Sequence, residues 1–346
     1  MGKNILLICG SLNQTTMLHK IADQLQEYNC FFTPYYADGL LGAASKLGCL
    51  DFTVLGGRHR HSTELYLKQH GLPVDFGGRA NGTGRQYEAV FTCSDVLVQK
   101  NILGKRTILV QEGMMERAGP LHPLVRQGIL PRFLINTAAT GLSDAYDIFC
   151  VASEGYRDLF IHRGVKANKL RVTGIPNFDH VAAYRNNEFP HHTFILATTA
   201  CARETFKRDD RVAFIRRAVE IAGGRQLIFK LHPNENLSRA RREIERHAPQ
   251  ALIYTDGNVH HMIANCQALV TQYSSVVLVG LAMGKEMYAD FDLEPLRKMV
   301  PVQNGGTSAL RIAEACRQLI HRPRYVARRA SGRSQPATRR DANDSV

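Results

Sequence analysis

Residues Leu269–Lys285 read LVTQYSSVVLVGLAMGK. The apolar run Ala268 to Thr271 has the length of a buried strand. It stops at Gln272-Tyr273-Ser274-Ser275. A second apolar run, Val276 to Met283, follows and is closed by Gly284 as a C-cap. A strand that feeds a helix through a polar turn is the repeating unit of a parallel α/β sheet. The turn also carries chemistry. Two adjacent serines sit where hydroxyls and the free N–H groups of a first helical turn converge, and such a spot favours a phosphate or diphosphate. A serine there that serves only as an N-cap is the plainer alternative. The place, the C-terminal end of a parallel strand, is where open α/β sheets bind ligands and favours the first reading.

Outward from this unit the same alternation recurs. Strand-like runs lie at 4–9, 53–55, 89–92, 107–111, 147–152 and 169–173, with helical patterns at 15–28, 62–70 and 155–163. Residues 181–192 are polar and poorly periodic, contain Pro190, and read as a linker. A second set follows, with strands at 194–197, 226–231, 252–254, 268–271 and 285–288 and helices at 210–222, 262–266 and 307–319. The pattern predicts an α/β protein of two units, residues 1–185 and 193–320, facing a cleft. Residues 322–346 form a basic tail that should be disordered.

Bulk properties narrow the function classes. A chain of 346 residues with 44% hydrophobic and 22% charged content is ample for two cores. No apolar run reaches the length of a membrane span. The N-terminal MGKNILLICGS reads as a first buried strand and not as a signal peptide. The eight cysteines form no CxxC pair, so no zinc ribbon or redox motif is indicated, and a reducing cytoplasm fits. The formal charge of +13 calls for an anionic partner. Seven arginines against two aspartates place part of it in the tail, which is either a solvated terminus or a peripheral tether to anionic lipid or polymer at the inner face of the membrane. No basic-aromatic RNA motif is present, so nucleic acid is not the expected partner. There is no Walker A loop, and the stretch Gly77 to Gly82 lacks the order of a dinucleotide fingerprint.

Candidate site residues gather at predicted strand ends. In the second half these are Lys230, His232, Ser274, Ser275 and Asp290, with Arg203, Lys207 and Arg208 in the loop after its first strand. Cations and hydroxyls suit a nucleotide diphosphate. Lys230 and His232 are two apart and share one face of a strand. A histidine there can donate to a phosphate oxygen or give a proton to a leaving group, or it can be structural. In the first half Glu112 precedes Gly113 at a strand end. It is either a general base facing the cleft or an acid complementing a helix N-terminus. Glu154 follows Ser153, and capping explains that pair. Asp290-Phe291-Asp292 matches the short DxD pattern of metal-dependent sugar transferases. The His-His pairs at 191–192 and 260–261 lack a third ligand at metal spacing, and no metal or cofactor site is expected.

Three pieces together resemble the donor half of CDP-glycerol glycerophosphotransferases: Lys230-Leu231-His232-Pro233, Thr271-Gln272-Tyr273-Ser274-Ser275, and Gly284-Lys285 with Tyr288-Ala289-Asp290 and Asp292. Val172-Thr173-Gly174-Ile175-Pro176-Asn177, after Gly164-Val165 and Lys169, is similar to UDP-N-acetylglucosamine 2-epimerases and related transferases. The motifs cover about half the chain. The resemblance implies a GT-B-like fold, two Rossmann-like domains with the nucleotide held mainly by the second. It implies that Ser274 and Ser275, with Lys230 and Arg203, hold the donor diphosphate, that His232 assists the leaving phosphate, and that Asp290 and Asp292 lie near the nucleotide. The family has a His-Gly pair after a first-half strand as its acceptor-side base; this chain has Gln111-Glu112-Gly113 instead. The implied activity is metal-independent transfer of a sugar or polyol phosphate from a nucleotide-activated donor to a cell-envelope polymer or lipid-linked acceptor. The alternatives are a 2-epimerase with Glu112 as base, or a non-catalytic nucleotide- or glycan-binding protein.

Overall fold

A computed structural model describes residues 2–323 apart from 52, 77–84, 117, 201–208, 233–234, 273 and 290 and the side chain at 136. The expectations for Gly77 to Gly82, Arg203, Lys207, Arg208, Pro233, Asn234, Tyr273, Asp290 and nearly all of the tail lie outside the described residues.

The first half builds β1 (Asn4–Cys9), α1 (Leu12–Ala22), β2 (Asn29–Pro34), α2 (Gly39–Lys46), α3 (Gly57–Gln69), β3 (Ala89–Thr92), β4 (Arg106–Val110), α4 (His122–Arg126), β5 (Ile148–Val151), α5 (Glu154–Arg163) and β6 (Leu170–Val172). The second half builds β7 (Ile195–Thr198), α6 (Arg211–Ala222), β8 (Leu227–Lys230), α7 (Leu237–His247), β9 (Leu252–Tyr254), α8 (Val259–Asn265), β10 (Ala268–Thr271), α9 (Val276–Ala282), β11 (Glu286–Ala289), α10 (Glu294–Arg297) and α11 (Ser308–His321). The strands form two sheets, ordered β2-β1-β3-β4-β5-β6 and β11-β10-β7-β8-β9. Every pairing within them is parallel. The α/β expectation with two parallel sheets therefore holds. Strands buried on both faces read as continuous apolar runs, which is why LLI, VFT and ALV stretches were legible.

The strand expected at 53–55 does not form; the chain turns there, and Thr53 Oγ1 donates to the Leu50 carbonyl at 2.7 Å. Its place in the sheet is taken by β2, which pairs with β1 from Asn4↔Asn29 to Cys9↔Pro34. Helix α7 was also not foreseen, because its sequence LSRARREIERH buries only Ala240 and Ile244.

One continuous apolar cluster links the halves, running from Ile5, Phe91 and Phe149 to Phe194, Leu269 and Ile312. The last described part of the second half crosses back. The Val302 N–H donates to the Ala152 carbonyl at 2.9 Å, the Ser308 N–H to Asp179 Oδ2 at 2.7 Å, and Arg317 Nε pairs with Glu27 at 2.5 Å. Helix α11 thus packs against α1 and β4 of the first half. Gly155 sits where this return passes over α5: a Cβ there would lie 2.1 Å from the Lys298 carbonyl oxygen.

Candidate functional site

The C-terminal ends of both sheets meet at one place. Gly113, just beyond β4, is close enough to the second half that a Cβ on it would stand 3.8 Å from Ser275 Cβ. Gly113, the residue after Glu112, and Ser275, read from opposite halves of the sequence, are thereby neighbours across this junction.

Glu112 is set by the start of α1. Ser11 caps that helix by accepting from the Gln14 N–H at 3.2 Å, and its hydroxyl donates to Glu112 Oε1 at 2.6 Å. Asn13 Nδ2 reaches Oε1 at 3.3 Å and Gln14 Nε2 reaches Oε2 at 2.5 Å. The carboxylate is therefore anchored by three side chains of one helical turn, over a helix N-terminus whose partial charge complements it. Asn13 is held in turn by Asn177, whose amide donates to Asn13 Oδ1 at 2.9 Å and to Thr16 Oγ1 at 3.0 Å. The Tyr184 hydroxyl donates to the Asn177 carbonyl at 2.8 Å, and its ring lies 4.7 Å from that of His260 on α8. Burial, with His261 and Lys20 adding to it, pushes the His260 pKa down to about 4.

Ser275 occupies the N-cap position of α9, yet its side chain makes no capping hydrogen bond. Ser153, by contrast, accepts from the Tyr156 N–H at 3.3 Å, so the Ser153-Glu154 pair is a helix start as expected. The half-buried hydroxyls of Ser274 and Ser275 have no hydrogen-bond partner among the described residues.

Lys230 ends β8 and is buried. Its ammonium donates to the Leu231 carbonyl at 3.0 Å and the Thr255 carbonyl at 3.1 Å. Burial lowers its pKa, opposed by Asp256 and Glu235. The structure therefore turns Lys230 toward its neighbouring loops. His232 follows at the same strand end. Its backbone N–H donates to Glu235 Oε1 at 2.7 Å and to Thr199 Oγ1 at 3.1 Å. Burial lowers the His232 pKa, with Glu235 opposing and Lys230 reinforcing, which favours the neutral ring. Asp292 lies on the surface, and its Oδ1 accepts from the Glu294 N–H at 3.0 Å, opening α10.

Beneath these groups lies an ionic network that sequence reasoning missed. Arg211 Nη1 pairs with Glu235 Oε2 at 2.6 Å, and Nη2 reaches Asp209 Oδ2 at 3.2 Å and the Ala200 carbonyl at 3.0 Å. All three charged side chains are 2% exposed. Asp209 also accepts from Gln272 Nε2 at 2.5 Å, and Gln272 Oε1 accepts from the Ala200 N–H at 3.0 Å. Glu235 takes the Thr199 hydroxyl and the His232 N–H as well. One guanidinium thus ties together the loops after β7, β8 and β10, the three adjacent strands whose ends carry Thr199, His232 and Ser274. The sequence reading singled out none of Asp209, Arg211, Glu235 and Gln272, which lie far apart along the chain. Among the described residues no group of three or more His, Cys, Asp or Glu could hold a metal ion, and no helix is long and apolar enough to cross a membrane.

No protein-family model matches the chain, and no curated protein matches it. Solved structures do. UDP-GlcNAc 2-epimerase from Neisseria meningitidis bound to UDP-GlcNAc aligns with a TM-score of 0.60 at 12% identity over 91% of this chain and 100% of that one. The S. aureus MnaA-UDP structure aligns at 0.57 and 10% identity, over 91% and 96%. Anabaena Alr3699/HepE in complex with UDP aligns at 0.51 and 11% identity, over 91% and 98%. At these identities the likeness gives the fold: a GT-B-like pair of parallel-sheet units.

Proposed function

We propose that this protein is an enzyme acting on a nucleotide-diphosphate-activated sugar or polyol, with the donor diphosphate at Ser274 and Ser275 and Glu112 as the base opposite. The observation that carries the reading is the pairing across the junction: two uncommitted serine hydroxyls on one side, an anchored carboxylate on the other, joined by the Gly113–Ser275 approach. The similar structures bound to UDP-GlcNAc and to UDP support a nucleotide ligand.

In the transferase form, Glu112 removes the proton from an acceptor hydroxyl as that oxygen bonds to the activated centre. The bond to the nucleotide phosphate breaks. The departing phosphate is met by the serine hydroxyls, with His232 and the charge of Lys230 at the end of β8, an electrostatic arrangement of the oxyanion-hole kind. Arg203 and Asp290 remain expectations of the resemblance, and Asp292 would act only through its loop. The polymer or lipid-linked identity of the acceptor rests on the resemblance to glycerophosphotransferases.

The 2-epimerase form is favoured by the TM-score of 0.60 to an epimerase. In it Glu112 would abstract a sugar proton. Incubating the protein with UDP-N-acetylglucosamine, and separately with CDP-, UDP- and GDP-linked donors plus acceptors, separates the two. Turnover of the sugar nucleotide without acceptor establishes the epimerase. Acceptor-dependent release of nucleotide establishes the transferase. In either case Glu112→Gln should lower kcat by about 10²-fold or more while leaving donor affinity near wild type. Wild-type kcat in that variant removes Glu112 from the mechanism.

A further inference from the structure

The segment between β6 and β7 delivers one side chain to the turn that anchors Glu112. Ile175, Pro176, Asn177 and Phe178 form a tight turn, closed by the Phe178 N–H donating to the Ile175 carbonyl at 2.8 Å. Pro176 takes the second place, which suits its fixed φ, and Asn177 the third. Ile175 and Phe178 are buried, so both ends of the turn are set in the core. Its peptide groups are held as well. The Lys20 ammonium on α1 donates to the Pro176 carbonyl at 3.1 Å, and the Tyr184 hydroxyl donates to the Asn177 carbonyl at 2.8 Å. The Asn177 side chain is thereby held against the first turns of α1.

Its amide nitrogen meets only acceptors there. Asn177 Nδ2 lies 3.1 Å from the Asn13 carbonyl, 2.9 Å from Asn13 Oδ1 and 3.0 Å from Thr16 Oγ1, whose own proton goes to the Asn13 carbonyl at 3.0 Å. A side-chain amide has a donor end and an acceptor end, and fixing one fixes the other. With Oδ1 of Asn13 held by Asn177, Nδ2 of Asn13 faces Glu112, reaching Oε1 at 3.3 Å and the Glu112 carbonyl at 3.4 Å. Turned over, Asn13 would set its Oδ1 against that carboxylate oxygen, two acceptors with no proton between them. We propose that Asn177 is a positioning residue for the reaction at Glu112: it sets which end of the Asn13 amide faces the carboxylate. The role rests on the reading of Glu112 as the base. Ser11 and Gln14 hold the same carboxylate from within α1 and its cap. The Asn13 contact is the one governed from the segment that leads to the second half.

The test compares Asn177→Asp, Asn177→Ala and Glu112→Gln in the full chain. Aspartate keeps the shape of asparagine but donates nothing, so it draws the Asn13 amide N–H groups to itself and leaves Oδ1 against Glu112; alanine only releases Asn13. In a nitrogen–proton correlation spectrum the Asn13 side-chain signal, assigned by its loss in Asn13→Asp, reads the orientation without catalysis. It should move on Glu112→Gln in the wild-type chain and stay nearly fixed on the same change in the Asn177→Asp chain. Equal movement in both overturns the proposal. With UDP-N-acetylglucosamine and the CDP-, UDP- and GDP-linked donors, Asn177→Asp should lower kcat by about tenfold or more while donor affinity stays within about threefold of wild type. Asn177→Ala should cost less, the reverse of what packing alone predicts, since aspartate keeps the volume and alanine does not. A greater loss with alanine than with aspartate, or a loss from Asn177→Asp that persists at full size in the Glu112→Gln background, overturns the role. Wild-type kcat in Glu112→Gln removes the base itself and this role with it, whereas a reduced kcat in Glu112→Gln beside a silent Asn177→Asp removes only Asn177.

Discussion

Replacing Arg211 by Met probes the network that sets the second-half loops. The guanidinium supplies the 2.6 Å bond to Glu235, the 3.2 Å bond to Asp209 and the 3.0 Å bond to the Ala200 carbonyl. Methionine fills much of the volume and supplies none of them. Two buried carboxylates are then left with neutral donors only: Thr199 and His232 N–H for Glu235, Gln272 for Asp209. Removing one partner of a buried ion pair costs about 3–5 kcal/mol. Urea denaturation of the variant and the wild-type chain measures this. Adding Glu235→Gln to Arg211→Met should recover part of the loss, because the variant then buries one carboxylate instead of two. A cost below about 1 kcal/mol, with no recovery in the double variant, refutes the view that Arg211 holds these loops.

Two further outcomes follow from the same geometry. His260, half-buried against Phe178 and Tyr184, has its pKa pushed down to about 4, below its unfolded value, so stability it contributes is present above pH 6.5 and lost as pH falls toward 4; His260→Gln should flatten the acid limb of a pH–stability profile by on the order of 2 kcal/mol. Gly155→Ala should destabilise by about 1–3 kcal/mol, as overpacking against a backbone oxygen does, because its Cβ would lie 2.1 Å from the Lys298 carbonyl; Gly113→Ala, whose Cβ finds ordinary contacts at 3.8 and 4.0 Å, should be near neutral in the same melts.

Much of this fold was legible because its strands are buried on both faces. ALVT, IFCV and AVFT are apolar but for a terminal threonine in two of them, and turn residues follow. The edge strand β2, NCFFTP, begins with an exposed asparagine and ends in proline, so it lacked that signal. Of the site, the Ser274-Ser275 turn and Glu112 could be found because each directly follows an apolar strand. What sequence could not give was their juxtaposition through Gly113. Nor could it give the Arg211 network, whose members 209, 211, 235 and 272 are polar residues brought together only by the order β10-β7-β8. The return of α11 to the first half was equally hidden. Its amphipathic pattern names an apolar face but not the helix that face meets.

The central claim is a diphosphate site at Ser274 and Ser275, and the most direct test is calorimetric titration of a nucleoside diphosphate panel, UDP and CDP foremost, into the wild-type chain and the Ser274→Ala/Ser275→Ala variant. Each hydroxyl lost from a charged oxygen is worth about 1.5 kcal/mol or more. The double variant should therefore bind the preferred nucleotide about 10²-fold more weakly, with an unchanged melting temperature in the absence of ligand. Nucleotide affinity that stays within about threefold of wild type would place the diphosphate elsewhere and contradict the account.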